Sequence, residues 1–191
     1  MSQAHEAKHR LIEQFGLAPH PEGGYYRETH RDSARVLRVA PSDAADGATS
    51  GANTAPTVRA ASTCIYYMLC DGAYSAWHRI RSDELWHFYA GDPLEVHVID
   101  AAGALRTHRL GNALSHDEAA FQVVVPAGCW FAAERPTLAD AAQAAGFSFV
   151  GCTVAPGFEF SEFELGEADA LANQYPGYEA LIRRLSRHTP A

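Results

Sequence analysis

The feature that most constrains this chain is a cadence. From Ala60 onward, short apolar and aromatic runs recur at 62–70, 74–80, 85–89, 94–99, 105–110, 121–125, 130–133, 147–154 and 158–165. Turn formers punctuate them: Asp71-Gly72, Gly91-Asp92-Pro93, Asp100 to Gly103, Pro126-Ala127-Gly128 and Pro156-Gly157. Runs of this length between Gly, Pro and Asp clusters predict strands joined by hairpins and short loops. The run 62–70 is apolar on both alternating sets, Cys64, Tyr66, Met68 and Cys70 against Ile65, Tyr67 and Leu69, as in a strand covered on both faces.

Helical patterns are too few to cover a parallel sheet, so an all-β double-sheet jelly roll is expected rather than an α/β fold. One amphipathic helix is expected over 4–15, where Ala4, Ala7, Leu11, Ile12 and Phe15 recur and Gly16 stops the run. A second is expected over 174–188, with Tyr178, Leu181, Ile182 and Leu185 on one stripe. Between them lies an edge strand from Tyr25, preceded by the loop HPEGG, in which Gly23 and Gly24 permit tight or left-handed backbone. Residues 40–57 hold no aromatic or large aliphatic side chain and predict an exposed, mobile loop within a single domain spanning 1–191. Residues 137–145 predict one or two helical turns.

Composition excludes some partners. The formal charge is −8, and fourteen arginines with one lysine, Lys8, are scattered, so no basic patch offers itself to nucleic acid. No apolar run approaches a membrane span or a signal-peptide core, and the expected location is cytoplasmic. Cys64, Cys70, Cys129 and Cys152 lie in apolar runs without a CxxC pair and are expected to be buried thiols.

The chemistry concentrates in Trp77 to Gly91, WHRIRSDELWHFYAG, where two histidines and an acidic pair sit among aromatics. On regular strands His78 and Ile80 share one face, while Glu84, Trp86 and Phe88 share another with His87 opposite. This segment resembles the first motif of the cupin superfamily, G-x5-H-x-H-x3,4-E-x6-G, through Gly72, His78, Glu84 and Gly91, with Ile80 in the second histidine slot. Pro126 and Gly128 fit the second motif, G-x5-P-x-G-x2-H, but Ala120 replaces its glycine and Phe131 its histidine. The fuller resemblance is to the DUF985, or cupin-5, group. It rests on HPEGGYYRET, STCIYYML, WHRIRSDELWHFYAGDPLEV, VVVPAGCWFAA and FSFVGCTVAPGFEFSEFEL, in that order.

The resemblance implies a double-stranded β-helix flanked by short N- and C-terminal helices, commonly a homodimer, with an internal pocket for a small-molecule ligand. It points His78 and Glu84 into the barrel, where a carboxylate orients an imidazole as general base, with Tyr66 as acid. Glu22, Tyr25, Arg27, Trp77, Trp86, His87, Phe88, Gln122, Trp130 and Phe131 are the expected ligand-binding residues. No metal ligand set is assigned, because Ile80 and Phe131 vacate two of the four usual positions, and His87, Gln122 or His20 would substitute only if turned inward. No cofactor is specified. Three functions stay open: an isomerase, epimerase or lyase on a sugar-like or keto metabolite, a metal-dependent cupin enzyme, and a non-catalytic sensor or binding module.

Overall fold

The cadence of short runs becomes two facing sheets. A computed structural model describes residues 3–38, 57–137 and 144–187. The first sheet orders β1 (Ala18–Pro19), β2 (Tyr25–Arg31), β5 (Thr63–Cys70), β13 (Phe147–Ala155), β7 (Asp83–Gly91) and β11 (Gln122–Val125). The second orders β10 (Ala119–Ala120), β9 (Leu105–Leu110), β8 (Leu94–Ile99), β12 (Trp130–Glu134), β6 (Ser75–Arg79) and β14 (Glu164–Leu165). Some neighbours in sequence lie in different sheets: β6 and β7 are joined by residues 80–82 yet pair with different partners. This is the jelly-roll all-β fold expected. A ribbon of β3 (Arg35–Arg38) and β4 (Thr57–Ala60) borders the predicted mobile loop, which lies outside the described residues except for Thr57. The predicted turns at 137–145 lie mostly outside them too.

Alternation decides which side chains face inward. Tyr67 and Leu69 of β5, Trp86 of β7, Val150, Cys152 and Val154 of β13, Val96 and Val98 of β8, and Phe131 of β12 share the core between the sheets. The opposite parities are covered from outside. Helix α1 (Gln3–Phe15) lays Ala7, Leu11, Ile12 and Phe15 over Met68, Cys70, Phe147 and Phe149, and Gly16 ends it at φ +57°. On the second sheet, α2 (Ala168–Gln174) and α3 (Glu179–Arg184) cover Trp77, Ile99, Trp130 and Ala132 with Leu171, Ile182 and Leu185.

Two expectations change here. The helix expected over 174–188 is shorter and broken: a 3-10 turn at Pro176–Tyr178 precedes α3, because proline cannot donate to the preceding turn. The strand expected over 158–165 survives only as β14, since Phe160–Glu162 form a 3-10 turn. Phe158, Phe160 and Phe163 pack against one another there, with ring centroids 5.0, 6.2 and 6.3 Å apart, which regular strand alternation would prevent.

Candidate functional site

A cavity of about 120 Å³ lies at one end of the core, between the sheets. Tyr26 and Glu28 of β2, Thr63 and Ile65 of β5, Glu84 of β7 and Cys152 and Val154 of β13 contribute from the first sheet. His78 and Ile80 face them, His20 and Glu22 enter from the loop before β2, and Phe158, Phe160 and Phe163 line the rest. It falls well below the roughly 300–1,000 Å³ of pockets for drug-sized molecules, so it has room only for a small molecule.

The HPEGG loop reaches this depth because two glycines let it pass against other backbone. Gly23 has φ +124°, and a Cβ there would lie 2.0 Å from the Tyr74 carbonyl oxygen; Gly24 has φ +69°, with the Met68 oxygen 2.4 Å from the same point. The loop is tied down by the Ala76 amide donating to the Glu22 carbonyl at 3.0 Å. The Tyr67 hydroxyl also donates, to the Gly23 carbonyl at 2.8 Å. Glu22 is consequently buried.

Glu22 and His78 form the central pair. His78 Nδ1 lies 2.7 Å from the Ala76 carbonyl oxygen, which only accepts, so Nδ1 carries a proton. His78 Nε2 lies 3.0 Å from Glu22 Oε2, and a ring-nitrogen lone pair facing a carboxylate oxygen at that distance repels it unless one further proton lies between them. The pair is therefore neutral as a whole, whether it exists as imidazolium and carboxylate or as imidazole and acid. Ser75 donates its hydroxyl to Glu22 Oε1 at 2.9 Å. His20 Nδ1 accepts the Glu22 backbone N–H at 3.2 Å and is unprotonated there; burial lowers its pKa, and Glu22 only partly offsets this.

Glu84 stands in contrast. It is 8% exposed and faces the cavity alongside the Cys152 thiol. Burial, with the charge of Glu22 second, pushes its carboxyl up to about 8. The same burial, with Glu84 second, raises the Cys152 thiol well above its ordinary range. One carboxyl is thus held as an acid while the other shares a proton with an imidazole, the separation of neighbouring groups that supports acid and base roles.

The remaining expected residues divide by strand parity. Phe131 packs on His78, ring centroids 4.0 Å apart, and Trp86 lies beside Phe131 and Tyr67 in the core. Phe88 packs against that core without lining the cavity. Tyr66 points the other way, against Phe15, Tyr89 and Phe149, and so does Tyr25. Arg27 donates to the Phe15 carbonyl rather than facing the site. His87 meets Thr153 and Gln122 outside the barrel. Trp77 and Trp130 lie beneath α2 and α3, with the Arg79 guanidinium 4.5 Å above Trp130. The sequence pattern also set His78 beside Glu84 across a hairpin, whereas the two sit on facing sheets and Glu22 is the bonded partner. Tyr26 and the three phenylalanines were missed, and His20 had entered only as a substitute metal ligand. The i, i+2, i+5 spacing of the phenylalanines in GFEFSEF was the available signal.

The site does not fit a resident metal. Ile80 and Phe131 offer no donor, and His78 spends both nitrogens on Ala76 and Glu22. Among the described residues, the one group of three or more donors within 4.8 Å of one another is Glu95, His97 and Glu134, away from the cavity. There Glu134 is already paired with Arg184, and His97 Nδ1 lies 2.9 Å from the Thr107 hydroxyl.

Comparison with known proteins places this geometry. The family described as cupin superfamily (DUF985), Cupin_5, matches residues 9–166. A hypothetical protein from Leishmania major is 33% identical, with a TM-score of 0.77 over 94% of this chain and 98% of its own. A protein from Shewanella oneidensis is also 33% identical, with a TM-score of 0.74 over 99% of this chain and 100% of its own. No curated protein matches the sequence.

Proposed function

The chain belongs to the DUF985 family of the cupin superfamily, and on that premise we propose that its cavity binds a small organic metabolite and moves a proton on it, as an isomerase or lyase does. One observation carries the reading: a buried carboxyl without a cationic partner, Glu84, and the Glu22–His78 pair, 3.0 Å apart, line the same small cavity. Glu84 donates its proton in a hydrogen bond to a carbonyl or hydroxyl oxygen of the ligand. The Glu22 carboxylate, in the form paired with imidazolium, takes a proton from the carbon next to that carbonyl. The C–H bond breaks, its electrons pass to the oxygen, and the resulting enolate faces the Glu84 hydroxyl with the imidazolium nearby. Return of the proton to a different carbon or face completes an isomerisation. His78 positions Glu22 and balances its charge, and Tyr66 has no part.

The test works with the substrate still unidentified. Protein incubated in D2O with a metabolite extract should introduce deuterium at carbon in at least one compound, read by mass spectrometry. Glu22→Gln and Glu84→Gln should abolish that exchange while remaining folded. Equal exchange by both variants would sink the catalytic reading. The second reading, a binding module, is favoured by the cavity's small size and aromatic wall; it requires a ligand retained by the protein and released unchanged.

A further inference from the structure

The charges around the cavity narrow what can enter it. Resting on the reading above, we propose that the cavity selects an uncharged ligand bearing a hydrogen-bond-accepting oxygen, and that it discriminates against carboxylates and phosphates. The argument is a count of counter-ions. Besides the Tyr26 phenol and the Glu28–Arg31 pair, the ionisable side chains lining the cavity are Glu22, His78, His20, Glu84 and Cys152. Glu22 and His78 hold one proton between them and are neutral together, by the geometry of Ala76 and Oε2. His20 uses Nδ1 as an acceptor and is neutral. Glu84 has no cationic partner and is held up to about 8, and the thiol of Cys152 is raised well above its usual range.

Arg31 is the one arginine or lysine among the lining residues, and it is already spent. Its Nη2 lies 2.8 Å from Glu28 Oε2 and its Nε 3.1 Å from Glu28 Oε1, while Nη1 lies 2.9 Å from Glu159 Oε1. Two carboxylates share one guanidinium, so Arg31 has no donor left for a ligand anion. An anionic ligand would lose its water in a chamber whose described lining residues offer no uncommitted cation, which is a heavy desolvation cost. A neutral carbonyl pays no such cost and gains the Glu84 O–H as a donor. An ammonium ligand ranks between them, because Glu84 must first lose its proton to become its counter-ion.

Three probes of one ring size separate the possibilities: cyclopentanone, cyclopentylamine and cyclopentanecarboxylate, titrated at pH 6.5 and followed by the protein's own NMR signals. Cyclopentanone should shift the resonances of His78, Cys152 and Phe163 and bind at least tenfold more tightly than cyclopentanecarboxylate, with cyclopentylamine weaker than the ketone. Glu84→Gln, which keeps a donor, should retain ketone binding, and Glu84→Leu should lose it. Carboxylate binding within tenfold of the ketone, or an amine that binds more tightly than it, would overturn the selectivity while leaving a ligand cavity in place. If no probe moves those resonances, the small-molecule reading fails and the selectivity fails with it.

Discussion

Replacing Glu84 by Gln should make the protein more stable, and by an amount that grows with pH. In the folded chain this carboxyl titrates at about 8, against an ordinary 4.5, chiefly because it is buried. Between those two values the folded chain keeps a proton that the unfolded chain releases, so stability falls as pH rises. The contribution of the protonated form is complete below pH 4.5 and is lost progressively up to about pH 8. Each pH unit of separation is worth about 1.4 kcal/mol, so the loss is about 3 kcal/mol at pH 7 and approaches about 5 kcal/mol above pH 8. Gln has the same shape and never ionises. The variant should therefore match the wild type near pH 4.5 and outlast it at pH 7, by about 6–12 °C in Tm for a chain of this size. Thermal melts of both proteins at pH 4.5, 6, 7 and 8.5 measure the gap directly. A gap that stays constant across this range, or that favours the wild type as pH rises, refutes a buried neutral Glu84 and with it the acid assigned to the site.

Other outcomes follow from the same contacts. His78→Ala should cost about 3–5 kcal/mol, as loss of one partner of a buried ion pair does. Adding Glu22→Gln should recover part of that, with a coupling of about 0.5–3 kcal/mol in urea melts; strictly additive losses would deny the shared proton. Gly23→Ala should prevent accumulation of folded protein, because its Cβ would lie 2.0 Å from the Tyr74 oxygen. Circular dichroism of any soluble fraction checks this. Cys152, buried and with its thiol pushed well up, should resist alkylation under native conditions and react after denaturation. Mass mapping of iodoacetamide adducts would show the contrast. Ile80→His with Phe131→His should let a folded double variant take up about one Ni²⁺ per chain, whereas the wild-type cavity should take up none. Elemental analysis of untagged protein decides the point.

Much of the fold was legible because the local signals agree. Period-two apolar runs cut by Gly, Pro and Asp specify strands wherever one face is buried and the other is not, and β11, with alternate residues exposed and buried, follows that rule. Parity was unreadable where both faces are covered. In 62–70 each alternating set is apolar, so nothing in the run says that Tyr67 faces the barrel while Tyr66 faces α1. The same ambiguity misplaced Trp77 and Trp130, whose aromatic bulk suits a ligand wall and a helix-covered face equally well. The depth of Glu22 was unreadable for another reason. Its depth is set by a loop whose path depends on two glycine conformations and on contacts with Tyr74 and Met68, some 45–50 residues away in sequence. Local pattern carries no information about contacts of that range.

The two substitutions that remove the cupin ligand set also explain the acid that replaces it. A histidine at position 80 or 131 would bring a polar ring, and with it water or a cation, next to Glu84. Ile80 instead lines the cavity with hydrocarbon, and Phe131 lies against His78 with no exposure to solvent. Both changes lower the local capacity to solvate charge, which is the condition that holds a carboxyl in its neutral form. The Phe158, Phe160 and Phe163 wall acts in the same direction. Drying alone would also suppress Glu22, but Glu22 has what Glu84 lacks: an imidazole at 3.0 Å and a serine hydroxyl at 2.9 Å. Two glutamates in one small cavity are thereby driven apart in character by their partners, and the position of His78 on β6, facing Glu22 rather than Glu84, decides which one has a counter-ion.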